Sequence, residues 1–163
     1  RLFDETQDLH QLSEHDAVLL EVASILHEVG NHISPRSHEI HGLYIIRHSE
    51  IFGLSDPDRL LVALITRYHR KATPQLPHPF YNKLSPDDRI RVAKLSALLR
   101  VADALERTHS QRVKNLTVTI AGGKATLNLE GIVDASAERL ALPSKANLFE
   151  NLYGLKVVLN ETA

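Results

Sequence analysis

Two stretches of this chain, Ser55-Asp56-Pro57-Asp58 and Ser85-Pro86-Asp87-Asp88, share one grammar that fixes where helices begin. A serine hydroxyl can accept a hydrogen bond from a backbone N–H left over at a helix start. Proline in the first turn gives up nothing, because its missing N–H would have no partner there, and an acid at the third position completes the cap. The first signal predicts a helix to about Arg70. The second opens the longest helix, whose apolar residues Ile90, Val92, Leu95, Leu98, Leu99, Val101, Ala102 and Leu105 recur at helical spacing. Ser13 caps an earlier run carrying Val18, Leu19, Val22, Ala23, Ile25, Leu26 and Val29, with Gly30 placed to end it. A shorter helix, roughly His38 to Ser49, has Ile40, Leu43 and Ile46 as its apolar side.

The texture changes near residues 111–114. Strict alternation in LTVTI, the turn AGGK and renewed alternation in ATLNLE spell a β-hairpin. DASAERLAL, a break at Pro143, SKANLFENLYG and LKVVLN then predict helix, helix and a closing strand. The expected fold class is mainly α: a helical bundle over residues 1–112, its first helix truncated, followed by a small α+β lobe over residues 113–163 made of a hairpin, helices and a closing strand. The one long irregular connection, residues 71–84, carries three prolines that hold it off helix.

Composition narrows the chemistry. With 163 residues the chain can bury a real core, and 19 Lys+Arg against 20 Asp+Glu give no general attraction to nucleic acid or membrane, so any anion site must be local. There is no cysteine, which excludes disulfides, thiolate zinc sites and cysteine nucleophiles; a metal would have to be held by histidine and carboxylate. No run approaches a membrane span and the start has no signal-peptide pattern, so a soluble, cytoplasmic protein is expected. Methionine is absent even at position 1 and the first residues read as helix interior, which predicts a piece of a longer protein.

The candidate chemistry lies in histidines and acids. His27 and Glu28 are adjacent at the end of an apolar helix, with His27 facing inward. His38 and His41 are neighbours on one face of the next helix, His69 ends another, and Asp103 sits on the apolar side of the longest. A buried acid needs a partner, so His27, Glu28, His41, His69 and Asp103 are candidates to share a pocket and hold a divalent metal. The same residues also fit a metal-free arrangement in which His27 donates to Asp103. His38 falls between supporting the pocket and lying at the surface. His10, His15, His32, His48, His78 and His109 are expected at the surface or at caps.

The order of a His-acid doublet, separated histidines and an aspartate in VADAL resembles the HD-domain phosphohydrolases. The longer wording, LLEVASILHEVGNHIS, SHEIHGLYIIRHSEIFGLS, LLVALITRYHRK and VAKLSALLRVADALERTHS, is similar to the C-terminal half of the exopolyphosphatase and guanosine pentaphosphate phosphatase family, across essentially the whole chain. That resemblance implies an HD-like helical domain, a partner substrate of polyphosphate or guanosine pentaphosphate, a homodimeric parent protein, and metal-dependent phosphoanhydride hydrolysis carried by an actin-like half upstream. HD enzymes have aspartate where this chain has Glu28. The extra methylene moves the carboxylate by about a bond length against a coordination tolerance of ~0.2 Å, which favours a degenerate site.

Arg67, Arg70 and Lys71 cluster around His69 at a helix end and are the expected phosphate-binding residues, although cations there would complement the helix dipole in any case. Arg36, Arg47, Arg91, Lys94, Arg100 and Arg107 are further candidates. Three functions stay open: a substrate-holding, dimerising part of an exopolyphosphatase that does not itself catalyse; a self-sufficient metal-dependent HD phosphohydrolase acting on a nucleotide; and a non-catalytic structural or regulatory module.

Overall fold

A computed structural model describes residues 1–162. The elements are α1 (Leu2–Glu5), α2 (Gln7–His10), α3 (Glu14–Leu26), a 3-10 turn (Val29–His32), α4 (His38–His48), α5 (Asp56–Arg67), a second 3-10 turn (Tyr81–Lys83), α6 (Pro86–Leu105), β1 (Leu116–Ala121), β2 (Lys124–Glu130), α7 (Ser136–Tyr153) and β3 (Lys156–Thr162). The protein is thus mainly α, 55% helical, with one small three-stranded sheet. It divides into two compact units: residues 12–99, and residues 1–11 together with 100–163. This partition differs from a single boundary at 112/113, because α1, α2 and the end of α6 group with the C-terminal lobe. No described helix is long and apolar enough to cross a membrane.

In the unit of residues 12–99, the start signals act as expected. Ser13 and Asp16 form a reciprocal capping box on α3, and the Ser55 and Ser85 hydroxyls accept from the N–H groups of Asp58 and Asp88. Every residue of α5 from Leu61 to Thr66 is buried, so this helix forms the centre, with α3 and α4 against it. His15 at the start of α3 donates to Asp58 of α5 at 2.8 Å, and Arg91 donates to the buried Asp16 at 2.7 Å. Burial raises the Asp16 carboxyl's pKa, but hydrogen bonds from Ser13 and Arg91 and the guanidinium charge outweigh it and hold the group below its ordinary value.

Two expectations change here. Gly30 does not terminate α3, which ends at Leu26; it is buried in the 3-10 turn, and a Cβ there would lie 1.9 Å from the His38 carbonyl oxygen. Glycine is required because α4 approaches it backbone to backbone. The inward side of α4 is His38, Glu39, Gly42 and Ile46, while Ile40 is 46% exposed. Gly42 allows this rotation, since a Cβ on it would meet the Thr66 methyl at 3.2 Å.

In the other unit, β1 and β2 form an antiparallel hairpin around Gly122 and Gly123, both at positive φ, which is a two-residue turn suited to strand twist. β2 and β3 are parallel and joined by α7. Both sheet edges are closed by side chains. Glu5 accepts from the Val118 N–H on β1, while Arg139 donates to the Leu159 carbonyl and Glu150 accepts from the Val157 N–H on β3.

The expected break at Pro143 is absent, and α7 runs through it. Its buried row Glu138, Leu142, Ala146 and Phe149 holds the helix in place. The fully buried Arg100 donates to the carbonyls of Ser144 and Lys145 and to Asn147 Oδ1, supplying donors just beyond the proline. His10, expected near the surface, is buried and donates from Nε2 to the Phe3 carbonyl at 2.8 Å.

Candidate functional site

The end of α5 and the start of α4 bring together most of the chemistry in the unit of residues 12–99. Thr66 ends the buried run of α5, and the chain then turns through Tyr68 so that His69 points inward, 2% exposed. The His69 Nδ1–H donates to the Thr66 carbonyl at 2.6 Å. That leaves Nε2 to accept, and the Nε2–H of His38 reaches it at 3.2 Å. His38 Nδ1 lies 3.3 Å from both Arg70 Nη1 and the Pro35 carbonyl oxygen, and in the tautomer with Nε2–H it accepts from Arg70. One proton assignment therefore satisfies a chain from Arg70 through both imidazoles to the α5 backbone.

Glu39 lies beside this chain with its side chain 3% exposed; Oε1 is 3.7 Å from Lys71 Nζ, and Oε2 is buried without a hydrogen-bond partner. Burial pushes this carboxyl's pKa up. A hydrogen bond from its own backbone and the charges of Lys71, Arg70 and His38 pull it the other way, and the net result is below its ordinary value. Glu39 is thus a buried anion that holds cations around it. Lys71 itself is exposed, at φ 54°.

Of the candidates for a metal pocket, His27 and His69 come together. Their rings meet edge-on with centroids 5.2 Å apart, and the His27 Nδ1–H donates to the Ser24 carbonyl at 2.6 Å. Glu28 is exposed at the start of the 3-10 turn, and His41 is half-buried one turn beyond His38. Asp103 belongs to the other compact unit, where it pairs with Lys145. Among the described residues no group of three or more histidine, aspartate or glutamate side chains is placed to hold a metal ion.

Arg67, Arg70 and Lys71 lie at the same end of α5. Arg67 is the last helical residue, its guanidinium 5.9 Å from the Tyr68 ring centre. Among the further basic candidates, Arg91 is engaged with Asp16 and Asp88, and Arg100 is buried against α7. Sequence reasoning passed over Glu39 and left His38 undecided. The usable signal was their position in the first turn of α4, four and three residues before Gly42, a small residue that brings that face close to its neighbour.

Cations clustered at one helix end can hold an anionic chain, with arginine able to offer paired N–H donors to phosphate oxygens. A family model described as Ppx/GppA phosphatase, domain III, matches residues 1–145, from α1 into α7. The chain belongs to the Ppx/GppA phosphatase family, of which it carries the C-terminal domain III.

Proposed function

We propose that this chain is the substrate-holding part of an exopolyphosphatase-type hydrolase, acting in the cytoplasm, with phosphoanhydride hydrolysis performed by another domain of the parent enzyme. The observation that carries this reading is the cationic end of α5: Arg70 and Lys71 stand near a single buried acid, Glu39, and Arg67 closes the same helix, so this stretch keeps a net positive charge. The partner is polyphosphate or guanosine pentaphosphate, whose repeated phosphates suit several cations on a short stretch of chain. Val18 and Ile25 on α3, 49% and 73% exposed, offer apolar surface for the homodimer expected of the parent protein.

Binding of polyphosphate of defined length, measured by calorimetry between 50 and 200 mM salt, tests the reading. Affinity should fall steeply with salt, because cations that neutralise phosphates release counterions. Replacing Arg67, Arg70 and Lys71 by glutamine should weaken binding and flatten that dependence. Binding indifferent to the triple substitution would refute it.

The metal-dependent reading, an HD-like phosphohydrolase acting on a nucleotide, has one feature in its favour: His27 and His69 each anchor Nδ1 on a backbone carbonyl, as metal-binding histidines do. It needs at least three ligands set to share one ion, and among the described residues no such group is placed to hold a metal. Stoichiometric divalent metal in purified protein would favour it.

A further inference from the structure

At the opposite ends of α4 and α5, where α4 finishes and α5 begins, a cavity of about 250 Å³ is lined by Arg47, His48, Asp56, Arg59 and Leu60. It is smaller than the pockets that take drug-sized molecules, which run from roughly 300 to 1,000 Å³, and its polar lining is mostly cationic. Arg47 stacks on the Phe80 ring with its guanidinium carbon 3.9 Å from the ring centre. Its N–H groups meet no acceptor among the described residues. Stacking therefore fixes the plane of the guanidinium while leaving its donors available.

Phe80 holds its ring there from a backbone at φ 68°, ψ −39°, a conformation a bulky residue adopts only under constraint. His48 donates from Nδ1 to the Tyr44 carbonyl at 2.9 Å, so its Nε2 is the ring atom left to face a ligand. Arg59, its side chain 20% exposed, gives one Nη2–H to Asp56 at 2.7 Å, while the Asp56 side chain is 86% exposed. Two guanidinium groups and an imidazole thus face one solvated carboxylate.

From this geometry we propose a second anion site, in which Arg47, Arg59 and His48 hold a single phosphoryl group. Arg47 supplies paired donors to two phosphate oxygens, Arg59 contributes an N–H not engaged by Asp56, and His48 donates through Nε2 when protonated. The ligand is either free orthophosphate or one phosphate of an oligophosphate chain. The site stands on its own geometry and does not depend on the role given to Arg67, Arg70 and Lys71.

The test follows the Arg47 Nε–H and His48 ring resonances by NMR during separate titrations with orthophosphate and with tripolyphosphate. Saturable shifts of both residues are expected, with Arg47→Gln weakening binding at this site by about tenfold or more, the loss of a charged hydrogen-bonding partner. Phe80→Leu, which keeps Arg47 but removes its platform, should weaken it less. Response to tripolyphosphate alone would assign the site to chain phosphates, and response to both ligands to phosphate generally. The same titrations in the Arg67, Arg70, Lys71 triple-glutamine protein should leave the Arg47 response intact, even if overall polyphosphate affinity has fallen. Arg47 and His48 resonances that move with neither ligand up to about 10 mM, an affinity limit near the weak end of specific binding, would overturn the proposal.

Discussion

Of the glycines, Gly30 is the one where an alanine Cβ would meet the shortest contact. The new Cβ would sit 1.9 Å from the His38 carbonyl oxygen, 2.6 Å from the Gly42 nitrogen and 2.8 Å from the His38 carbonyl carbon. All three are backbone atoms, so no rotamer change relieves the overlap. The first turns of α4 would have to retreat from the 3-10 turn by about 1 Å to reach even the closest contact a side chain tolerates, in an interior packed like a crystal. Overpacking typically costs 1–3 kcal/mol, and a clash borne by backbone belongs at the upper end, so about 3 kcal/mol is expected.

For a chain of this length each kcal/mol lowers Tm by roughly 2–4 °C, which places the Gly30→Ala midpoint about 6–12 °C below the parent. Circular dichroism melts and urea titrations give the comparison. The same retreat carries His38 and Glu39 away from His69 and Lys71, so polyphosphate affinity should fall even at temperatures where the variant is folded. Gly53→Ala is the control: it has open space around the Cβ but φ 85°, so it should cost only the backbone strain, about 1 kcal/mol. A Gly30→Ala protein melting within about 2 °C of the parent would refute the backbone-contact argument.

Acid should destabilise the unit of residues 12–99 through Asp16 and Glu39. Both folded pKa values lie below the ordinary 3.8 and 4.5, so their contribution is fully present above those values and is lost as pH falls through the folded ones. Urea midpoints from pH 6 down to pH 3 should drop less steeply in Asp16→Asn than in the parent, and equal slopes would exclude Asp16 as a contributor. Arg100→Met should lower stability by about 2–3 kcal/mol, since its acceptors on α7 lose their donors, and a neutral effect in urea titration would show that these bonds do not hold α7. The Tyr153 hydroxyl is buried without a partner, and burial pushes its pKa up to about 12; Tyr153→Phe should be neutral or stabilising by up to ~1 kcal/mol, and a clear loss would reveal a bond to that oxygen.

The helix starts and the hairpin were legible because their causes are local. A serine cap acts on N–H groups three residues away, and the Gly122-Gly123 turn needs only its own backbone freedom. Pro143 is equally local, yet its expected effect was overridden. The donors that steady α7 come from Arg100, 44 residues earlier, and the buried row from Glu138 to Phe149 favours a continuous helix. No periodicity within residues 134–154 carries that information. Arg100 itself looked like one more basic residue, because sequence position alone does not distinguish a surface cation from a buried donor.

The same limit decided the site. Glu28 drew attention because it follows His27, as an acid follows histidine in HD enzymes, but its side chain is exposed at the start of the 3-10 turn. The acid buried beside His38 and His69 is Glu39, and what brings it inward is the close contact between α4 and Gly30. With alanine's volume at position 30, α4 could not approach closely enough for His38 and Glu39 to turn inward in place of Ile40. The Glu39 carboxylate is then steadied in the interior by Lys71, by the charges of Arg70 and His38, and by a hydrogen bond from its own backbone. The glycine that reads as a helix stop is therefore what exchanges an apolar face for an ionic one. Lys71 and Arg70 depend on it, because the buried Glu39 carboxylate adds to the helix dipole in offsetting their mutual repulsion at the end of α5.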